Sequence, residues 1–222
     1  MMEEKQVKIV VSKDGSHTLF RKDIEEHYHS IHGSIQESLH VFIEAGLNHF
    51  ISKDYSGDVS ILEIGFGTGL NALLTYEHQK KTNCSILYHG LEPHPLEMKV
   101  IKQLNFKSIN ANEFLKLHEL EWNKKHILNQ SFTFTKENKK LQDFDSNEKF
   151  DVVYYDAFAP RAQEEMWRIE LFKKLYSLIK SSGILVTYCA KGQVRRDLQR
   201  AGFKMERIPG PRGKREMLRG TK

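Results

Sequence analysis

Apolar runs at residues 7–11 and 17–20 flank Lys13-Asp14-Gly15-Ser16, and Asp-Gly between short apolar runs predicts a hairpin. From 23 to 50 the period lengthens. Ile35, Leu39, Phe42, Ile43 and Leu47 recur at spacings of three and four, which predicts helix, with Gly33 breaking it into two shorter pieces. A turn is expected at 55–58, and strands and helices alternate after it. Strands are predicted at 59–64, 86–91, 132–134, 150–155 and 184–189. Helices are predicted at 96–104, 109–120, 166–179 and 194–201, the last ended by Gly202. The polar stretch 136–149 reads as a surface loop, and 203–208 with 216–219 as a terminal hairpin. The run FDVVYY at 150–155 is apolar without alternation, as in a strand covered on both faces.

Strand–helix alternation at this spacing predicts an α/β fold, a mostly parallel seven-stranded sheet of Rossmann-like form with helices on both faces. Residues 1–54 form an N-terminal hairpin and helical extension packed on the core; 55–222 form the main domain and end in a basic hairpin. Ligands in such folds bind at the carboxyl ends of the strands, so functional residues are sought there.

Composition narrows the class. The 222 residues are 39% hydrophobic and 28% charged, enough apolar material for one medium domain. No run approaches 18 apolar residues, and the start MMEEKQVKIV lacks a basic stretch followed by an apolar one. Neither a membrane span nor a signal peptide is expected, and the location expected is cytoplasmic. Two distant cysteines, Cys84 and Cys189, exclude a disulfide framework and a four-cysteine zinc site. His27, His29 and His32 lie in no metal-site pattern, so no metal is expected. The net charge is +5, unevenly spread: residues 191–222 carry eleven basic and three acidic residues, a net +8, leaving −3 for the rest. Such asymmetry suggests a polyanionic partner near the C-terminus, with Lys191, Arg195, Arg196, Arg212, Lys214 and Arg215 as candidates. In the competing reading Arg215 pairs with Glu216 or Glu206 and only stabilises the hairpin.

Two turns carry the candidate chemistry. After the first core strand the chain reads Glu63-Ile64-Gly65-Phe66-Gly67-Thr68-Gly69-Leu70-Asn71. Glycines there let the backbone turn sharply and let a ligand approach closely. A dinucleotide fingerprint needs glycine at the sixth position of G-x-G-x-x-G, which here is Leu70. An acid heading E-x-G-x-G-x-G suits the ammonium and sulfonium of S-adenosylmethionine. Candidate cofactor residues are Glu63, Gly65, Phe66, Gly67, Gly69 and Asn71, with Glu92 at the next strand end for the ribose hydroxyls and Pro93 fixing its turn. Asp156-Ala157-Phe158-Ala159-Pro160 ends the strand FDVVYY. Asp156 can take a proton or hydrogen bond from an amine acceptor and adjoin the cofactor, and Phe158 can lie against a base or sulfonium. The bland alternative has Asp156 capping the following helix.

The blocks HYHSIHGSIQESLHVFIEAGL, ILEIGFGTGLNALL, DVVYYDAFAPRAQEEMW, GILVTYCAKGQVRRDLQRAGF and GPRGKREMLRG cover about residues 14–75 and 150–220. In them the chain resembles the MnmC-like tRNA wobble-uridine methyltransferase family, in its stand-alone form (MnmD). The resemblance implies an S-adenosylmethionine-dependent methyltransferase fold. The implied reaction is methyl transfer to the amine of 5-aminomethyl-(2-thio)uridine at tRNA position 34, with a separate enzyme supplying the aminomethyl group. It places Tyr28 and Glu37 with the acceptor. Where the family has Gly-Asp after the third strand this chain reads Thr135-Lys136-Glu137-Asn138, and Glu137 is the candidate for adenine. The alternatives are transfer to another small amine, such as a polyamine, or a non-catalytic RNA-binding module.

Overall fold

A computed structural model describes residues 6–51, 57–106 and 109–222. The first five residues, the expected boundary at 54/55 and half of the expected turn at 55–58 fall outside the described residues. The N-terminal hairpin forms as β1 (Val7–Val11) and β2 (His17–Arg21), and β3 (Glu26–His27) pairs on its far side. Residues 23–32 are therefore not helical. Helix begins at α1 (Ser34–Ser38) and continues as a π-helix over Leu39–Asn48. Asp14 starts it: its Oδ2 accepts from the N–H groups of Ile35 at 3.1 Å and Gln36 at 3.4 Å. A cap supplied from the β1–β2 turn leaves no local signal at Gly33.

The large sheet has eight strands among the described residues, in the order β10-β11-β9-β8-β4-β5-β7-β6. Its parallel centre is β7 (Phe132–Glu137), β5 (Ser85–Leu91), β4 (Asp58–Ile64), β8 (Phe150–Tyr155) and β9 (Ile179–Thr187). The edges are antiparallel: β6 (Lys124–Asn129) on one side, β11 (Glu216–Thr221) and β10 (Lys204–Pro209) on the other. The eighth strand is β6, whose sequence KKHILN lacks clean alternation because it forms an exposed edge. Strand β7 runs to Glu137, so Lys136 lies in the sheet rather than in the expected loop. Its ammonium is buried but satisfied, donating to the carbonyls of Leu117 at 2.9 Å and His118 at 2.7 Å, near the end of α4 (Ala111–Glu119).

The helices α2 (Leu70–Gln79), α3 (Met98–Ile101), α5 (Ile169–Leu178) and α6 (Gly192–Ala201) complete the layers. Strand β8 is buried throughout: Val152 and Tyr154 join one core cluster, Val153 and Tyr155 the other. Burial of each such large side chain contributes about 1.5–3 kcal/mol. No helix among the described residues is long and apolar enough to cross a membrane.

Candidate active site

The ends of β4, β5 and β8, the β2–α1 segment and the 139–142 turn enclose a cavity of about 460 Å³. Gly65, Phe66 and Gly67 form its floor after β4. Gly65 has φ +89, and a Cβ there would lie 2.5 Å from the Asp156 carbonyl oxygen. Gly67 has φ +49, and its Cβ would lie 3.0 Å from the Tyr28 ring. Glu92, past the end of β5, closes this side. One of its oxygens accepts from the Gly67 N–H at 2.9 Å, the other from the His94 N–H at 2.9 Å. Each oxygen keeps a lone pair, which suits two adjacent hydroxyls. Burial pushes the Glu92 carboxyl above its ordinary range.

Asp156 follows β8, and its N–H donates to the Ile64 carbonyl at 3.0 Å. It does not cap a helix; its Oδ2 accepts from Asn71 Nδ2 at 2.8 Å. Burial raises its carboxyl to about 7, Asn71 holding it lower, Glu37 pushing it up and Lys214 pulling it down. The loop behind it is pinned through its backbone. The Tyr188 hydroxyl donates to Ala157 O at 2.9 Å, Trp167 Nε1 to Phe158 O at 2.7 Å, and the Phe158 N–H to Gln163 Oε1 at 3.2 Å. The Phe158 ring packs edge-on against Tyr28, centroids 4.9 Å apart, with the Arg21 guanidinium 5.4 Å from its centroid.

Comparison with known proteins agrees with this geometry. Residues 98–222, more than half the chain, match the family described as S-adenosyl-L-methionine-dependent methyltransferase. The chain belongs to that family. It is 30% identical over 217 residues to the bifunctional protein MnmC of tRNA 5-methylaminomethyl-2-thiouridine biosynthesis from Pseudomonas syringae, covering 90% of this chain and 32% of that one. The counterpart from Pseudoalteromonas translucida is 31% identical over 228 residues, covering 90% and 34%. The chain thus spans about a third of the length of these relatives. The crystal structure of MNMC2 from Aquifex aeolicus superimposes with a TM-score of 0.81 at 25% identity, covering 96% of this chain and 70% of that one. Spermidine synthase from Thermotoga maritima shares the fold, with a TM-score of 0.57 at 12% identity, covering 97% and 68%.

Of the candidate residues, Gly65, Phe66, Gly67, Glu92, Pro93, Asp156, Phe158, Tyr28 and Glu37 line the cavity. Glu63, Gly69 and Asn71 do not line it, and Glu63 is wholly buried. Glu137 turns away to pair with His89 at 2.9 Å and Lys139 at 2.7 Å; the cavity wall at this level is Lys139, Lys140, Leu141 and Gln142. Lys214 lines the cavity but is not free for a phosphate. It pairs with Glu37 at 2.7 Å and lies 3.9 Å from the Tyr188 ring centroid. Lys191, Arg195, Arg196, Arg212 and Arg215 are outside the cavity. Lys191, Arg196, Arg212 and Arg215 are exposed, and Arg195 is half-buried. Glu216 and Glu206, the expected partners of Arg215, pair with Arg207 at 3.7 Å and Arg219 at 3.0 Å instead.

Two features went unread in the sequence. Tyr188 follows β9 and braces the Asp156 loop; the rule that found Asp156, looking just past a buried strand, also points to it. Thr68 is clasped by two histidines: His29 Nε2 meets its hydroxyl at 2.6 Å and His118 Nε2 its carbonyl at 2.9 Å. His29 is thus held by Thr68.

Proposed function

We propose that this methyltransferase transfers the methyl group of S-adenosylmethionine to the primary amine of 5-aminomethyl-(2-thio)uridine at the wobble position of tRNA. The observation that carries the reading is Asp156: a buried carboxyl with its proton affinity near neutrality, beside aromatic rings, in the cavity floored by the glycine turn. The names of the MnmC relatives support the choice of acceptor.

The residues fit the cofactor. Gly65 and Gly67 leave the turn without a Cβ, and Glu92 keeps a lone pair on each oxygen for the ribose diol. When bound, S-adenosylmethionine supplies an electrophilic methyl group on a sulfonium. Asp156 accepts one proton from the acceptor's ammonium, freeing the nitrogen lone pair for in-line attack. Tyr28 and Phe158 offer flat surfaces to the base, which must leave its stack to reach the pocket. Exposed Lys191, Arg196, Arg212 and Arg215 supply positive charge for the phosphate backbone. The enzyme works in the cytoplasm, beside one that supplies the aminomethyl group.

The test is incubation with methyl-labelled cofactor and either tRNA carrying 5-aminomethyluridine or polyamines. Label in the wobble nucleoside is expected. Label confined to the polyamine overturns the reading in favour of a small-amine transferase.

A further inference from the structure

Behind the cavity floor three side chains from three parts of the sheet end form one hydrogen-bonded group. Asn71, on the first turn of α2, is 2% exposed and does not line the cavity. Its amide nitrogen donates to Glu63 Oε1 at 2.9 Å and to Asp156 Oδ2 at 2.8 Å. The Asp156 carboxylate fixes which end of the amide faces it, because the turned-over amide would set its oxygen against the carboxylate oxygen. Among the described residues the buried amide oxygen has no hydrogen-bond partner.

We propose that Asn71 and Glu63 are positioning residues for Asp156: the Asn71 amide ties the Asp156 carboxylate to buried Glu63, fixing Oδ2 and leaving Oδ1 for the acceptor amine. The inference rests on the proposed role of Asp156 as the base. It reverses the expectation that Glu63 holds the cofactor's ammonium.

Glu63 is wholly buried on β4, and among the described residues the groups acting most strongly on it include no cation. Its neighbours are the Asn71 amide from α2, the Tyr88 hydroxyl from β5, and the carboxyls of Asp156 and Glu92. Burial, reinforced by those two carboxyls, pushes its own well above the ordinary range, which favours the neutral form. A charged Glu63 would repel the charge Asp156 must carry to accept a proton. A neutral one still accepts from Asn71 through its carbonyl oxygen. The groups acting on Asp156 are Asn71 from α2, Glu37 from α1 and Lys214 from the β10–β11 turn. Of these, Asn71 supplies the hydrogen bond that favours the ionised form.

Three measurements test this. Carbon-13 NMR of carboxyl-labelled protein should show Glu63 keeping its proton well above the pH at which an ordinary glutamate loses it; a Glu63 that titrates as an ordinary glutamate overturns the proposal, and this arm needs no substrate. Glu63→Ala should lower kcat, Glu63→Gln should restore it, and calorimetry should show cofactor affinity kept in Glu63→Gln. Lost affinity in Glu63→Gln returns the residue to the cofactor and overturns the proposal. Asn71→Ala should lower kcat on the order of 10²-fold, with KM held, and move the acid limb of the pH profile upward. An unmoved limb in folded Asn71→Ala overturns it; if that variant does not fold, the NMR and Glu63 arms decide. Absence of methyl transfer to tRNA by the wild-type protein sinks the functional reading alone, leaving the NMR result to judge this one.

Discussion

Asp156 accepts a proton only when ionised, so turnover should fall as the pH drops through about 7. Its neighbours set where that fall occurs. Glu37 raises the Asp156 carboxyl, so Glu37→Gln should move the acid limb to lower pH. Lys214 lowers it, so Lys214→Met should move the limb upward. A pH–rate series on the two variants checks the signs, and shifts in one common direction would refute the assignment of the limb to Asp156. Asp156→Asn keeps an acceptor for Asn71 but cannot take the proton; its kcat should drop roughly 10²-fold or more while cofactor affinity stays. Gly67→Ala strains a left-handed backbone and presses on Tyr28, 3.0 Å from the new methyl. Calorimetry should show cofactor affinity weakened roughly tenfold, about 1.4 kcal/mol.

Among the elements, the glycine turn depends on its clasp. Burial lowers the His29 imidazole to about 4 and the His118 imidazole to about 3, from the ordinary 6.5. Unfolded, both would protonate below 6.5. The stability they contribute is therefore complete above that value and is lost as the pH falls toward 4 and 3. The urea midpoint should fall between pH 7 and 4.5, and His118→Gln should flatten that dependence. The elements legible in the sequence are those whose own period decides them. Strand β8 is a buried apolar run, β4 is nearly one and β5 alternates in burial, α6 ends at Gly202, and Glu92 and Asp156 sit just past strand ends. What stayed hidden depends on distant partners. Asp14 caps α1 from another element, Lys136 looks like loop until α4 supplies its carbonyls, and Glu37 meets Lys214 across 177 positions. Tyr28 and Glu37, which only the resemblance to known methyltransferases singled out, line the cavity.

Over the whole molecule, charge is divided as the sequence indicates, a basic C-terminal seventh against a mildly acidic remainder. The structure splits that basic set: Lys214 is held in the cavity wall, whereas Arg212 and Arg215 are exposed. The double variant Arg212→Ala, Arg215→Ala should weaken tRNA binding. For each phosphate left unneutralised, the slope of log affinity against log salt should shrink by about 0.7 on a single strand and about 0.9 on a duplex. An unchanged slope with a lower melting temperature would mark the pair as structural. The basic segment is also no detachable appendage. Strand β11 lies between β10 and β9, and its Met217 and Leu218 are fully buried. A chain cut after residue 210 would keep the catalytic turns yet bare the edge of β9, a template for pairing with other chains. Such a shortened chain should precipitate rather than stay in solution, so the proposed contacts to nucleic acid and the integrity of the sheet cannot be separated by truncation.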